Sequence, residues 1–159
     1  AEVVGVDENA DLAILRISPL GNQTAKLLPV TIATSALLGD GLTAIGFPAI
    51  GGESVTVTKG EISGFSNFLG IRWIKSSISI SAGNSGGGAF NASGQLVGVP
   101  TSLGVPGNNE TTDCRPDRDT NGDGEVDEDD ECVSMGGFIN TLSPGSSAIE
   151  LAKSKGLVP

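Results

Sequence analysis

The chain has 159 residues, enough for one well-packed domain, and its 24 scattered glycines exclude a collagen-like repeat and indicate many turns. No run approaches the roughly 20 apolar residues of a membrane span, and a formal net charge of −10 without a basic patch argues against nucleic-acid binding. Residues 110–131 hold 11 acidic and 2 basic side chains, so this one segment carries −9 of that charge.

Short apolar segments punctuated by Gly, Pro and Asn predict a series of strands. In chain order they cover residues 1–6, 11–17, 31–32, 42–47, 54–63, 71–80, 89–91, 95–101 and 137–140. Short strands spaced by roughly 8–12 residues are typical of an all-β barrel or sandwich. A final helix is expected from a cap at Ser146 or Ser147, with Lys153 and Lys155 near its C-terminus and Gly156 just beyond.

A serine lies among glycines in the run Gly83-Asn84-Ser85-Gly86-Gly87. A serine hydroxyl attacks a carbonyl only when a base takes its proton and donors stabilise the oxyanion. Glycines let the backbone turn tightly, so that two N–H groups can point at one spot and a substrate carbonyl can approach. By itself the run is equally compatible with a Gly/Ser-rich loop between strands.

The neighbouring segments favour the first interpretation. Residues 74–87 resemble the HtrA/Deg branch of the trypsin-like serine peptidases, as do residues 94–99, and residues 3–17 resemble the part of that family that bears the triad aspartate. The resemblance covers nearly everything except residues 104–135. It implies an all-β fold: the C-terminal β-barrel, plus a remnant of the first barrel, of a trypsin-like double β-barrel, with a short C-terminal α-helix. Residues 1–159 would be a single partial peptidase domain.

The resemblance also assigns roles. Ser85 would be the nucleophile, the backbone N–H groups of Gly83 and Ser85 would form the oxyanion hole, and Asp11 would orient a histidine base, the division of labour of the Ser-His-Asp triad. Without the resemblance, a turn or cap carboxylate would be the simpler interpretation of Asp11. The substrate would be a polypeptide.

The substrate pocket is also assigned by resemblance. Ser79 would lie near its base, and Thr101, Ser102 and Leu103 would form one wall. No acidic residue stands at the base, so a preference for Lys or Arg is not indicated. A small or medium apolar side chain before the scissile bond is expected.

The chain contains no histidine, although the family needs one before the triad aspartate. Either the sequence is a truncated piece of an active enzyme, whose missing N-terminal part supplies the base, or it is a natural pseudoenzyme. We favour truncation because the aspartate and serine motifs look intact. In both cases the chain alone is expected to have negligible peptidase activity.

Residues 104–135 are predicted to be an acidic insertion that binds calcium. Its oxygen-bearing side chains follow the spacing of a calcium loop, with Gly124 at the sharp turn and Val126 as apolar anchor. The candidate ligands are Asp119, Asn121, Asp123, the Glu125 carbonyl, Asp127 and Asp130. The segment resembles a thrombospondin type 3 or dockerin-like loop. A solvated acidic hairpin and a second register from Asp117 remain open.

Cys114 and Cys132 bracket this insertion. A disulfide between them would stabilise the loop by roughly 3 kcal/mol and would favour a secreted or periplasmic location; two free thiols in a cytosolic protein are the alternative. The leading function is a serine endopeptidase with a calcium-stabilised loop beside its pocket. The alternative is a non-catalytic calcium-binding or interaction module, or a pseudoprotease, on the same scaffold.

Overall fold

The computed structural model describes residues 1–17, 29–47, 54–80, 83–101, 114–115, 122–125, 133–134 and 139–158. These residues form short strands and one helix. In chain order they are β1 Glu2–Asp7, β2 Leu12–Arg16, β3 Gly41–Gly46, β4 Thr56–Phe68, β5 Ile71–Ser76, β6 Gly88–Phe90, β7 Leu96–Pro100, β8 Cys114–Arg115, β9 Val133–Ser134, β10 Asn140–Pro144 and α1 Gly145–Ser154. None of the described helical residues belongs to a helix long and apolar enough to cross a membrane.

Six antiparallel strands close into a barrel in the order β10-β5-β4-β3-β6-β7. Alternate residues of each strand point inward, as a period of two requires. The buried core is formed by Leu42, Ala44, Ile62, Ile74, Ile78, Ile80, Ala89, Val97 and Leu142. The expected all-β barrel with a short C-terminal helix is therefore confirmed.

Local turn chemistry connects the barrel strands. Leu69 and Gly70, which join β4 to β5, both have positive φ (51° and 77°), the requirement of a tight type I′ hairpin. Between β6 and β7, the Asn91 side-chain oxygen accepts the N–H groups of Ser93 and Gln95, each at 3.0 Å. Asn91 thereby fixes the turn that the sequence predicted at residues 92–94.

Some predicted boundaries are wrong. The strand expected over 71–80 ends at Ser76, and the segment expected at 31–32 is only a bridge between Ile32 and Leu96. The last strand begins at Asn140 and runs on to Pro144. Pro144, not a serine, occupies the N-cap, and the helix has no side-chain cap. Barrel pairing sets the extent of the last strand, because β10 pairs with both β5 and β7.

The first two strands form a separate antiparallel hairpin. Helix α1 contacts it on one side and the barrel strands β7 and β10 on the other. At Gly5 the approach is close: a Cβ there would lie 3.5 Å from the Leu151 side chain and 3.0 Å from that of Lys155. The helix therefore joins the hairpin, which carries Asp11, to the barrel, which carries Ser85.

Candidate active site

The turn around Ser85 depends on glycine. Gly83 and Gly86 have φ values of +96° and +79°, a region that residues with a Cβ rarely adopt. The N–H of Gly86 donates to the Pro100 carbonyl at 2.9 Å, and the N–H of Gly87 donates to the Asn84 carbonyl at 3.0 Å. These bonds hold a tight loop against the end of β7 and leave Ser85 exposed.

The Ser85 hydroxyl donates to the Thr101 carbonyl at 2.9 Å. Thr101 directly follows β7, and its own N–H donates to the Thr141 carbonyl of β10 at 3.3 Å. The structure therefore brings together two of the predicted site residues, the nucleophile and the first residue of the pocket wall. Ser102 and Leu103, the rest of that wall, lie outside the described residues.

The backbone N–H groups of Gly83 and Ser85 are the expected oxyanion donors. In the part of the chain that the structure describes, neither of them donates to a protein acceptor, and both residues are exposed. Donors that are free and exposed beside a nucleophile can receive a developing negative charge.

The loop around Ser85 packs closely against β3. Asn84 is buried, and a Cβ at Gly46 would fall on its side-chain oxygen and lie 3.2 Å from its Cα. A Cβ at Gly87 would lie 2.7 Å from the Ile45 carbonyl oxygen and 2.9 Å from that of Asn84. The two glycines therefore permit an approach that a Cβ at either position would obstruct.

Asp11 lies in the turn between β1 and β2, exposed and with φ +50°. The nearby Asp7 has a structural role, because its carboxylate accepts the N–H groups of Asn9 and Ala10 at 3.0 and 3.1 Å. Asp11 makes no such bond among the described residues. Of Asp7 and Asp11, only Asp11 therefore has a carboxylate that is available to another partner. No hydrogen bond joins Asp11 to Ser85.

Ser79, the predicted pocket base, is exposed and lies between β5 and the Ser85 loop. Its carbonyl accepts the Thr58 hydroxyl at 3.0 Å. The sequence did not single out Thr58 or Gly46, although Thr58 bonds to the Ser79 carbonyl and Gly46 leaves room for Asn84. Glycine inside the β3 pattern was the only available signal, since a strand glycine often marks a close backbone approach.

Little of the acidic insertion is described. β8 pairs with β9, with Cys114 opposite Ser134 and Arg115 opposite Val133. Gly122 and Gly124 have φ values of +82° and +91°, and the Asp123 carboxylate accepts the Glu125 N–H at 2.8 Å. The candidate ligands Asp119, Asn121, Asp127 and Asp130, the side chain of Cys114, and Cys132 lie outside the described residues. The described residues alone contain no cluster of three metal-ligating side chains.

A separate half-open pocket of about 160 Å³ lies at the other mouth of the barrel. Its lining includes Val97 and the start of α1 at Gly145, whereas Ser85 is beside the opposite end of β7. Arg72 also lines it and stacks 3.5 Å from the centre of the Phe65 ring. This pocket is distinct from the Ser85 site.

Residues 1–99 match the trypsin-like peptidase domain. The chain is similar to the periplasmic pH-dependent serine endoprotease DegQ of Escherichia coli (35% identity over 67% of this chain and 24% of DegQ) and to the serine endoprotease DegS of Haemophilus influenzae (38% identity over 68% of this chain and 32% of DegS). Among solved structures it is similar to the HtrA-type protease AlgW with a decapeptide (30% identity, TM-score 0.64, 97% of this chain and 39% of AlgW).

A family match over more than half of the chain defines the class: this chain belongs to the trypsin-like peptidase family. Its relatives are of the HtrA type, and its closed barrel and C-terminal helix correspond to part of their trypsin-like double-barrel fold. The chain spans about a quarter of the length of the first curated relatives that it matches.

Proposed function

We propose that this chain is part of an HtrA-type serine endopeptidase, with Ser85 as the nucleophile and Asp11 as the carboxylate that orients a histidine. The histidine would come from a part of the protein outside this sequence, which contains none. The observation that carries the proposal is the exposed Ser85 on its glycine-built turn, with the free N–H groups of Gly83 and Ser85 beside it.

In this mechanism the Ser85 oxygen attacks the substrate carbonyl carbon while its proton passes to the histidine. The Gly83 and Ser85 N–H groups stabilise the resulting oxyanion. The carbon–nitrogen bond then breaks, and the departing amine takes the proton from the histidine. Water hydrolyses the acyl–serine ester by the same steps, and Ser85 is regenerated. The Thr101 carbonyl, which accepts the Ser85 hydroxyl in the absence of a base, must release it first.

The test compares this chain with the longer gene product. We expect a fluorophosphonate probe to label Ser85 in the longer protein and to leave this chain unlabelled, because only the former would contain a base. Ser85→Ala should abolish labelling, and Asp11→Asn should lower peptide hydrolysis by about 10⁴-fold. Asp7→Asn is the matched control, since Asp7 serves the hairpin turn. Robust hydrolysis by this chain alone, or an unlabelled Ser85 in a folded longer protein, would refute the proposal.

We further propose that the insertion binds Ca²⁺ through Asp119, Asn121, Asp123, the Glu125 carbonyl, Asp127 and Asp130. Calcium takes six to eight oxygen ligands, and a calcium-binding loop of this spacing turns sharply at its sixth position. The positive φ of Gly124 supports such a turn. The pairing of β8 with β9 supports a loop closed at its base, which a disulfide between Cys114 and Cys132 would reinforce.

Calorimetric titration with CaCl₂ tests this loop. We expect the unmodified chain to bind Ca²⁺ and Asp119→Ala to bind much more weakly, because the first ligand is lost. Asp117→Ala should bind normally, since Asp117 belongs only to the alternative register. At 100 times the dissociation constant, Ca²⁺ should stabilise the folded loop by about 2.7 kcal/mol, and EDTA should increase proteolysis between residues 104 and 135. Absence of heat, or equal loss in both variants, contradicts the assignment.

The location that we propose is secreted or periplasmic. It is supported by the periplasmic description of the DegQ relative and by the proposed disulfide, which persists in oxidising compartments. A non-catalytic calcium-binding module or pseudoprotease on the same scaffold is the second candidate, favoured by the lack of histidine in this chain. The residues encoded upstream of Ala1 distinguish the two candidates, because only an enzyme requires a histidine there.

A further inference from the structure

Residues 77–80 lead from β5 to the Ser85 loop and lie along β4 without belonging to a regular strand. The Ser77 N–H donates to the Glu61 carbonyl and the Glu61 N–H donates to the Ser77 hydroxyl, both at 3.0 Å. The approach is closest at Gly60, where a Cβ would lie 2.6 Å from the Ile78 nitrogen. With the Thr58 bond to Ser79, β4 therefore holds one side of the segment.

A single side chain from the last strand holds the other side. The Asn140 amide donates through Nδ2 to the Ile78 carbonyl at 2.6 Å, across 62 residues of sequence. Asn140 is 1% exposed, and its register opposite Ser76 places it on the inward face with Leu142. The contact is therefore a buried tether between β10 and the segment that contains Ser79.

Burial of the Asn140 amide in the barrel interior is unfavourable for the free energy of folding. Among the described residues, its Oδ1 has no hydrogen-bond partner, and neither does the buried Ser76 hydroxyl on the paired residue. A buried polar atom without a partner disfavours the folded state. What Asn140 contributes is therefore the bond to Ile78, which fixes the position of one particular segment.

We propose that Asn140 is a positioning residue that fixes the base of the primary substrate pocket. Its bond holds Ile78, the neighbour of Ser79, and thereby sets where the chain enters the Ser85 loop. The assignment of Ser79 to the pocket rests on the proposed function.

The test uses Asn140→Val, which removes the donor and replaces the amide with a side chain that suits a buried strand. Ser143→Ala is the matched control, because Ser143 is equally buried on β10 and its hydroxyl has no partner. Thr58→Val removes the tether on the other side of the segment. In every variant that folds, the hydrogen-exchange rate of the Ser77 amide is compared with the rates of amides in β3 and β4. Faster exchange at Ser77 alone shows that residues 77–80 are bound less firmly to their neighbours.

We expect Asn140→Val and Thr58→Val each to accelerate Ser77 exchange at least tenfold, with β3 amides and the Ser143→Ala variant unchanged. Peptide selectivity is measured in the longer protein as the ratio of kcat/KM for two peptides that differ only in the residue before the scissile bond. Asn140→Val should change this ratio at least threefold. An unchanged Ser77 amide, or equal acceleration throughout the barrel, would overturn the tether. Unchanged peptide selectivity with accelerated exchange would overturn its role in the pocket.

Failure of the proposed function has a different signature. If the longer protein hydrolyses no peptide and Ser85 is not labelled, the peptidase assignment fails, and the pocket role of Asn140 fails with it. The exchange measurement on this chain needs no activity. It therefore decides separately whether Asn140 holds residues 77–80.

Discussion

Single residues determine the position of the Ser85 hydroxyl, as Asn84 and Gly46 show. Ser85 is exposed, whereas the preceding residue, Asn84, is buried. Asn84 in turn packs directly against the buried Gly46 of β3. The Ser85 hydroxyl donates to the Thr101 carbonyl, just after β7, instead of to a base. At this scale the loop that carries the proposed nucleophile is held by close backbone and side-chain contacts.

Substitution of Gly46 tests that support. Gly46→Ala should lower the free energy of unfolding by about 1–3 kcal/mol, because the new methyl group meets the Asn84 side chain and lies close to its backbone. Gly41→Ala, at the other end of the same strand, is the control, since a Cβ at Gly41 contacts nothing within 4 Å. Urea denaturation of both variants measures the difference, and equal effects would show that Gly46 is not a tight contact.

Among the elements, α1 has the broadest structural role. It follows β10 without a break, packs on the barrel and contacts the β1–β2 hairpin. Its buried Leu151 faces Gly5 of β1. The position of Asp11 relative to the barrel therefore depends on a helix at the far end of the sequence.

Truncation of that leucine should loosen the hairpin. Leu151→Ala is expected to cost about 2–5 kcal/mol through lost burial and a residual cavity, and to accelerate hydrogen exchange in β1 and β2 more than in β4. Leu157→Ala is the matched control, because Leu157 is 41% exposed and should cost about 1 kcal/mol or less. Uniform acceleration over hairpin and barrel would argue against a specific helix–hairpin contact.

The molecule as a whole combines a closed barrel with a two-stranded hairpin that is incomplete by itself. Two strands alone are at best marginally stable in water, and the hairpin exposes more than half of each of Val3, Val6, Leu15 and Ile17. A second exposed apolar group lies where the end of β3 pairs with the start of β4 and on the residues that adjoin them: Ile45, Phe47, Val55 and Val57. The hairpin therefore offers a surface to the part of the peptidase that we propose precedes it.

The longer protein should cover the hairpin. We expect amides of β1 and β2 to exchange at least tenfold more slowly in the longer gene product than in this chain, because additional strands would pair their edges and bury their apolar side chains. Amides of β3 and β6 inside the barrel serve as the internal control and should not change. Equal exchange of the hairpin in both proteins would contradict a first barrel built on it.

The sequence by itself determined the succession of strands along the chain, the turn at residues 92–94, the terminal helix and the glycine-rich loop around Ser85. These features depend on side-chain alternation and on backbone freedom, which neighbouring residues decide. The tertiary structure decided the rest: Ser85 meets Thr101 across 16 residues, and Asn140 meets Ile78 across 62. A period of two shows which face of a strand is buried but not which strand lies beside it, so only closure of the barrel could bring these groups together.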